Sequence, residues 1–258
     1  AGEPASVQLL VDGRRANAGQ IAFSYLQSIA NELQFELIAE KSGIAVPQVQ
    51  VRNWYNPNLE YRWFIVPALV TTLAFIPAIS ISILSVARDR ELGTLDQLVV
   101  SPVSTFGIIL GKALPPVFAG LISSFIVFML AVFAFQVPFT GNVPMLFLSL
   151  FVFVFAVAGF GLAISSGCNT QQQALMGMFA LTVPMFITSG FISPVENMPE
   201  MLQQFAELNP LKHAMIIVQG SFLQAMTAAE IWSNLWPMLL IGGFTLSIAG
   251  ATLRWRIQ

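Results

Sequence analysis

The chain has 258 residues, of which 56% are hydrophobic and only 9% charged, against roughly 25% charged in an ordinary soluble domain. A formal net charge of −2 gives no basis for nucleic-acid binding. One cysteine and one histidine, Cys168 and His213, exclude an internal disulfide and an ordinary Cys/His metal cluster. What remains is an integral membrane protein in which those two residues read as packing or surface positions.

Residues 1–62 differ from the rest, holding eleven of the chain's Lys, Arg, Asp and Glu residues. Val7 to Val11 is a short apolar run stopped by Asp12-Gly13, which predicts a strand and a turn. Asn17 with Gln20 three positions on can open a helix, and Ile21, Tyr25, Ile29 and Leu33 recur every four residues until Gly43 ends it. VQVRNWY after Pro47 predicts a second strand, and Pro57 breaks the chain before the first apolar span. The result is a small α+β piece, too short to bury a convincing core alone. The start, AGEPASVQLL, has neither the basic nor the long apolar region of a signal peptide. The expectation is that a first span and the beginning of this domain precede Ala1.

Five uncharged stretches are expected to cross the membrane: Trp63 to Ala87, Ala113 to Phe135, Val143 to Gly167, Ala174 to Ile192 and Ile231 to Leu253. The expected fold is thus an all-α polytopic membrane bundle, residues 63–258, carrying a small extracytoplasmic α+β domain, residues 1–62. Between the fourth and fifth spans, residues 193–230 contain proline breaks and amphipathic runs. Ser193, Pro194, Glu196, Asn197 and Pro199 open a segment suited either to short helices dipping into the outer leaflet, as an exit gate, or to an ordinary structured loop.

Orientation follows from basic residues flanking the spans. With residues 1–62 outside, the inner side receives Arg88, Arg90, Lys112, Arg254 and Arg256, and the outer loops after residue 62 receive only Lys212. The C-terminus is then cytoplasmic. From Ala113 to Val195 there is no Lys, Arg, Asp or Glu, whereas ion-coupled carriers place ionisable residues in mid-membrane. The chain has no usable phosphate loop: GIILGKA at Gly107 to Ala113 has three residues between its glycines and alanine where Ser or Thr is required. Gly107 and Gly111 read instead as a small-residue helix contact. No catalytic or metal-binding residue is expected, and the energy for transport has to come from a partner.

The segment 88–112 is where that partner is sought. It gathers Arg88, Asp89, Arg90, Glu91 and Asp96, with Lys112 closing it. Leu92, Leu95, Leu98 and Val99 recur at helical spacing and Pro102 ends the helix. Periodicity alone allows an amphipathic helix at the membrane surface or a helix that docks a protein.

The run ARDRELGTLDQLVVSPVS resembles the cytoplasmic segment of the type-2 ABC exporter permeases: an acidic residue, x, Gly-Thr, a short leucine-bearing helix and Ser-Pro. Glu91, Gly93, Thr94, Leu98, Ser101 and Pro102 carry the match. Further resemblance lies in RNWYNPNLEYRWFIVPALV at Arg52 to Val70, STFGIILGKALP, SSGCNTQQQA at Ser165 to Ala174 and SGFISPVENMP at Ser189 to Pro199. It covers nearly the whole chain.

The resemblance implies six spans per complete permease, a second permease, identical or homologous, and a cytoplasmic ABC ATPase dimer that alone binds ATP and Mg. It also implies a bacterial inner membrane with residues 1–62 in the periplasm, where an adaptor protein is a further candidate partner, beside membrane lipids. Arg88, Arg90, Glu91, Gly93, Thr94, Leu95, Asp96, Leu98, Ser101 and Pro102 would form the coupling helix. In it Glu91 receives hydrogen bonds or a basic partner, Leu95 and Leu98 fill apolar hollows of the ATPase, and Gly93 permits close approach. Two spans would face the two-fold axis and line the transport path, through Phe75, Ile79 and Ser82 on one and Met178, Met185 and Phe186 on the other. The expected activity is ATP-driven export of drug-like or amphipathic compounds. The alternatives are export of a lipid or polysaccharide precursor by the same fold and, in a different class, a secondary carrier or channel with no ATPase.

Overall fold

The structure, a computed structural model, describes residues 7–12, 24–26, 28–29, 32, 49–54, 60–95, 97, 102 and 104–257. The chain divides between Val66 and Pro67 into two compact units. In the first, β1 (Val7–Asp12) and β2 (Val49–Trp54) pair in parallel, Val7 opposite Val49 and Asp12 opposite Trp54. A parallel pair needs a crossover, not a hairpin, and the described residues of the connection, 24–26, 28–29 and 32, are helical. Tyr25 and Ile29, two members of the expected apolar stripe, are exposed. The expected Asn17–Gln20 cap, Ile21, Leu33 and Gly43 lie outside the described residues.

The second unit is helical. Its elements are α1 (Arg62–Glu91, beginning just before the division), α2 (Thr105–Met129, continuing as a π-helical turn, Leu130–Ala134), α3 (Val143–Gly167) and α4 (Gln171–Ile187). A 3-10 turn (Val195–Asn197) leads to α5 (Glu200–Glu207), α6 (Pro210–Leu223) and α7 (Ala228–Ile257). Among the described residues four helices are long and apolar enough to cross a membrane: α1, α2 with its π turn, α3 and α7. A helix keeps most of its backbone hydrogen bonds within itself, which lipid requires because it offers no competing partner. Pro67 and Pro77 sit inside α1 without ending it.

The expected fourth span, Ala174 to Ile192, is corrected in its limits. Its helix, α4, has 17 residues and stops at Ile187, about 25 Å of rise against a hydrocarbon core of about 30 Å. Pro184 lies in its last turn, Thr188 and Ser189 turn their hydroxyls back to the carbonyls of Pro184 and Phe186, and Gly190 takes a left-handed φ of 84°. Apolar composition runs on to Ile192, whereas the hydrogen-bond ladder does not.

α3 is the hub, with most of its length buried, and it packs on α2, α4, α6 and α7. Close approach rests on missing side chains, the usual device where lipid removes the hydrophobic drive for helices to associate. A Cβ at Gly161 would fall 2.0 Å from Ser82 Oγ on α1, and one at Gly159 would fall 2.3 Å from Thr245 Oγ1 on α7. The expected Gly107–Gly111 contact is not made at Gly111, where an added Cβ meets nothing within 4 Å. At the opposite end from segment 88–112, Phe128, Phe139 and Phe222 stack edge to face, 5.1 Å from Phe128 to Phe139 and 5.2 Å from Phe139 to Phe222. Thr140 then ties the α2–α3 turn to the end of α6 through the Phe222 carbonyl.

Candidate functional site

The segment after α1 is built on a helix end. Gly93 takes φ 70°, its N–H donates to the Arg90 carbonyl, and the Thr94 N–H donates to the Asp89 carbonyl. That pair of bonds is the Schellman arrangement, which satisfies the last carbonyls of a helix and needs a residue free to be left-handed. Close approach to a partner was the expected reason for Gly93. Within this chain its role is the turn, and an added Cβ there meets nothing within 4 Å.

Asp89, Arg90 and Glu91 each have a separate task at this turn. Asp89 pairs with Lys112, whose ammonium also donates to the Ser85 carbonyl at 3.3 Å, joining α1 to α2. The Arg90 guanidinium donates to the carbonyls of Ser166, at 3.1 Å, and Cys168, at 2.5 Å. Those are the last carbonyls of α3, where a helix dipole favours a cation. One Glu91 oxygen accepts from the Gln171 N–H at 2.8 Å, one of the unpaired amides opening α4. Ser165 Oγ receives the N–H groups of Val86 and Ala87 at 3.0 and 2.9 Å. The three consecutive charged residues 89–91 thus fasten the end of α1 to α2, α3 and α4 in turn.

Leu95 departs from its expected role. It is 6% exposed and belongs to a buried cluster with Val86, Ile109, Ala113, Leu162, Ala249 and Leu253 of the same chain, so in the single chain its side chain is spent on the bundle. The surface left outward carries Arg88, Glu91, Leu92, Gly93, Thr94, Gln97 and Pro102, all exposed. Leu92 is 63% exposed although apolar. Asp96, Leu98 and Ser101 lie outside the described residues.

The expected transport-path residues fall in the packed interior of the single chain. Phe75, Ile79, Ser82 and Met185 are buried and Phe186 and Met178 partly so. Phe75 meets Phe153 at 6.5 Å and Phe186, edge on, at 5.4 Å, while the Ser82 hydroxyl donates to the Ala78 carbonyl. Met178 sulfur lies 3.8 Å from Ser80 Oγ. The open apolar faces of these two helices carry other residues, Leu73 and Ile76 on α1 and Met176, Phe179, Val183 and Ile187 on α4.

At the far end, Ser193 and Pro194 lead into the 3-10 turn holding Glu196 and Asn197, and Pro199 precedes α5. Gln203 Nε2 braces this loop on the Met198 carbonyl at 2.8 Å. The residue that joins it to the bundle is one the sequence reading passed over. Asn209, 4% exposed, donates to the Met185 carbonyl at 2.7 Å and to Thr188 Oγ1 at 3.0 Å, and accepts from the Leu211 N–H at 3.0 Å. It closes α4 and opens α6 with one side chain. An Asn-Pro pair before an apolar run was the available signal. Buried His213, between the Glu207 carbonyl at 2.9 Å and Asn234 Oδ1 at 3.2 Å, links α5 to α7.

The family model described as ABC-2 family transporter protein matches residues 1–251. The chain is 42% identical over 256 residues to YbhR of Escherichia coli K12, described as a probable multidrug ABC transporter permease, which covers 99% of this chain and 70% of that protein. It is 27% identical over 252 residues to YbhS of the same organism, described in the same terms, covering 96% and 64%. Over 219 residues it is 28% identical to ABC transporter G family member 20 of Dictyostelium discoideum, covering 83% of this chain and 30% of that one.

Proposed function

This chain belongs to the ABC-2 transporter family and is a membrane-embedded permease subunit of an ABC exporter, and from that premise we propose that it is driven by a cytoplasmic ATPase dimer docked on residues 88–102. The observation that supports this most is the shape of the Gly93 turn. Asp89, Arg90 and Glu91 fasten it to three other helices, and it still presents an exposed Leu92 and Thr94. A push on such a turn moves the ends of α1, α3 and α4 together, which a free surface helix would not do.

ATP and Mg bind the partner, and this chain contributes no residue to hydrolysis. Residues 1–62 form an α+β domain on the periplasmic side of a bacterial inner membrane, and the C-terminus is cytoplasmic. Two permeases, identical or homologous, stand with α1 and α4 towards one another. The substrate passes between them along the Met- and Phe-bearing face of α4. Phe75, Ile79, Ser82 and Met185, buried in one chain, and Met178 and Phe186, partly buried, are reached when α1 and α4 part. Such a path suits drug-like or amphipathic compounds, the class named for the Escherichia coli relatives. The loop at Ser193 to Pro199, braced through α5 and α6, is the outer gate, and an adaptor protein in the periplasm would receive what passes it.

Transport by the purified permease and its ATPase in vesicles should require ATP and continue when the proton gradient is collapsed at constant ATP. Transport that stops with the gradient, ATP being unchanged, would instead establish a secondary carrier.

A further inference from the structure

A groove of about 620 Å3 runs between the first half of α2 and the last half of α7, floored by Phe155 of α3. The two helices line it in antiparallel register, from Thr105 and Arg254 at one end to Ala113 and Gly243 at the other. The twelve residues from Gly243 to Arg254 span about 16 Å of helix, close to one leaflet of a hydrocarbon core about 30 Å thick.

The hollow exists because α7 is stripped of side chains along it. Gly243, Ser247, Gly250 and Ala251 all face it. A Cβ at Gly243 would meet nothing within 4 Å, and the Ser247 hydroxyl is turned back to the Gly243 carbonyl at 2.7 Å. The walls are therefore apolar for most of the length. The mouth is not: Arg254 is exposed there and makes no hydrogen bond or ion pair among the described residues. The N-terminus of α2, which has no acidic residue in its first turn, opens at the same level. Among the described residues no carboxylate lines the groove. An apolar slot one leaflet deep, with a guanidinium that has no partner among the described residues and a helix N-terminus at its membrane-surface end, matches a molecule with an anionic head and a hydrocarbon tail.

We propose that this groove is a binding site for one anionic phospholipid, its headgroup phosphate on Arg254 and the first turn of α2 and one acyl chain lying along Gly250, Leu246 and Gly243. A second copy of the chain is the alternative occupant, and disulfide cross-linking distinguishes the two. The site is separate from the turn at Gly93, and the proposal rests only on the protein's being embedded in a bilayer. Its failure would leave the reading of residues 88–102 as it stands.

Native mass spectrometry of the purified permease, titrated with phosphatidylglycerol or with phosphatidylcholine of the same acyl chains, tests it. The wild type should retain one phosphatidylglycerol about tenfold more tightly than phosphatidylcholine, the scale of a charge-assisted contact. Arg254→Gln should abolish the preference. Gly243→Leu should lower retention of both lipids by filling the slot, and it removes a helix-interior glycine, so the fold is not at risk. Equal retention of phosphatidylglycerol by wild type and both variants overturns the proposal. Equal affinity of the wild type for the two lipids overturns its anionic part. Disulfide-linked dimers through Phe106→Cys in a Cys168→Ser background would show a second copy in the groove and overturn it altogether.

Discussion

Asn209 is the residue on which two helices depend, and its chemistry makes a sharp prediction. Asn209→Ala removes the N-cap of α6 and leaves the Met185 carbonyl buried without its donor, a combined loss of about 1–3 kcal/mol. The apparent melting temperature in detergent should fall. Asn209→Asp should not restore it, because a carboxylate can still accept from the Leu211 N–H and cannot donate to the Met185 carbonyl. Wild-type melting of both variants would mean that the stitch bears no weight. Leu95 predicts a contrasting effect. Buried at 6% in a cluster with six residues of its own bundle, it should on truncation to Ala destabilise the permease by about 2–5 kcal/mol. Had it faced a partner, the free permease would melt unchanged.

At the scale of elements, the limits of a helix and the apolarity of a stretch are different quantities, and only the second is written in composition. Val143–Gly167 coincides with its expected span because Asn142 caps one end and Cys168 leaves the helix at the other. α2 begins eight residues before the apolar span expected from Ala113, because Ser104 accepts from the Gly107 N–H and Lys112 is neutralised by Asp89. α4 ends early for want of a continued ladder beyond Pro184. The Glu-x-Gly-Thr run was legible as a motif, and its physical basis, a left-handed helix end, appears only with the backbone. Gly93→Ala therefore forces a side chain into the left-handed region, at about 1–2 kcal/mol. Thermal stability of the permease should change by no more than that, while ATPase stimulation falls further because the turn is re-aimed. Normal stimulation in Gly93→Ala would show that the turn's direction is immaterial.

The bundle as a whole was readable because lipid imposes long uncharged helices and a charge asymmetry across them. What was not readable were the contacts between helices. Ser165 bonding the end of α1 and Gly161 admitting Ser82 follow from spatial registers that no local pattern encodes. For the same reason the sequence leaves open whether the stripe of Phe75, Ile79 and Ser82 on α1 faces a cleft between two chains or a neighbouring helix, and in the single chain these residues are buried. They face α3 and α4. Sidedness is checked on the intact protein. On a Cys168→Ser background, single cysteines at Asp89 and Arg256 should react only with reagent inside the cell, and those at Gln27 and Glu207 with reagent outside. External labelling at Asp89 would reverse the orientation.

That segment 88–102 is a docking element is tested most directly at Leu92, which is apolar, exposed and without a described packing role. Glu91 is a poorer choice, since its removal also frees the Gln171 amide. Leu92→Asp should leave expression and melting temperature unchanged, because its side chain is 63% exposed in the permease alone. Co-purification of the ATPase should drop at least tenfold, and substrate-stimulated ATP hydrolysis should be lost with it. A Leu92→Asp permease that binds its ATPase and exports as the wild type does would contradict docking at this turn.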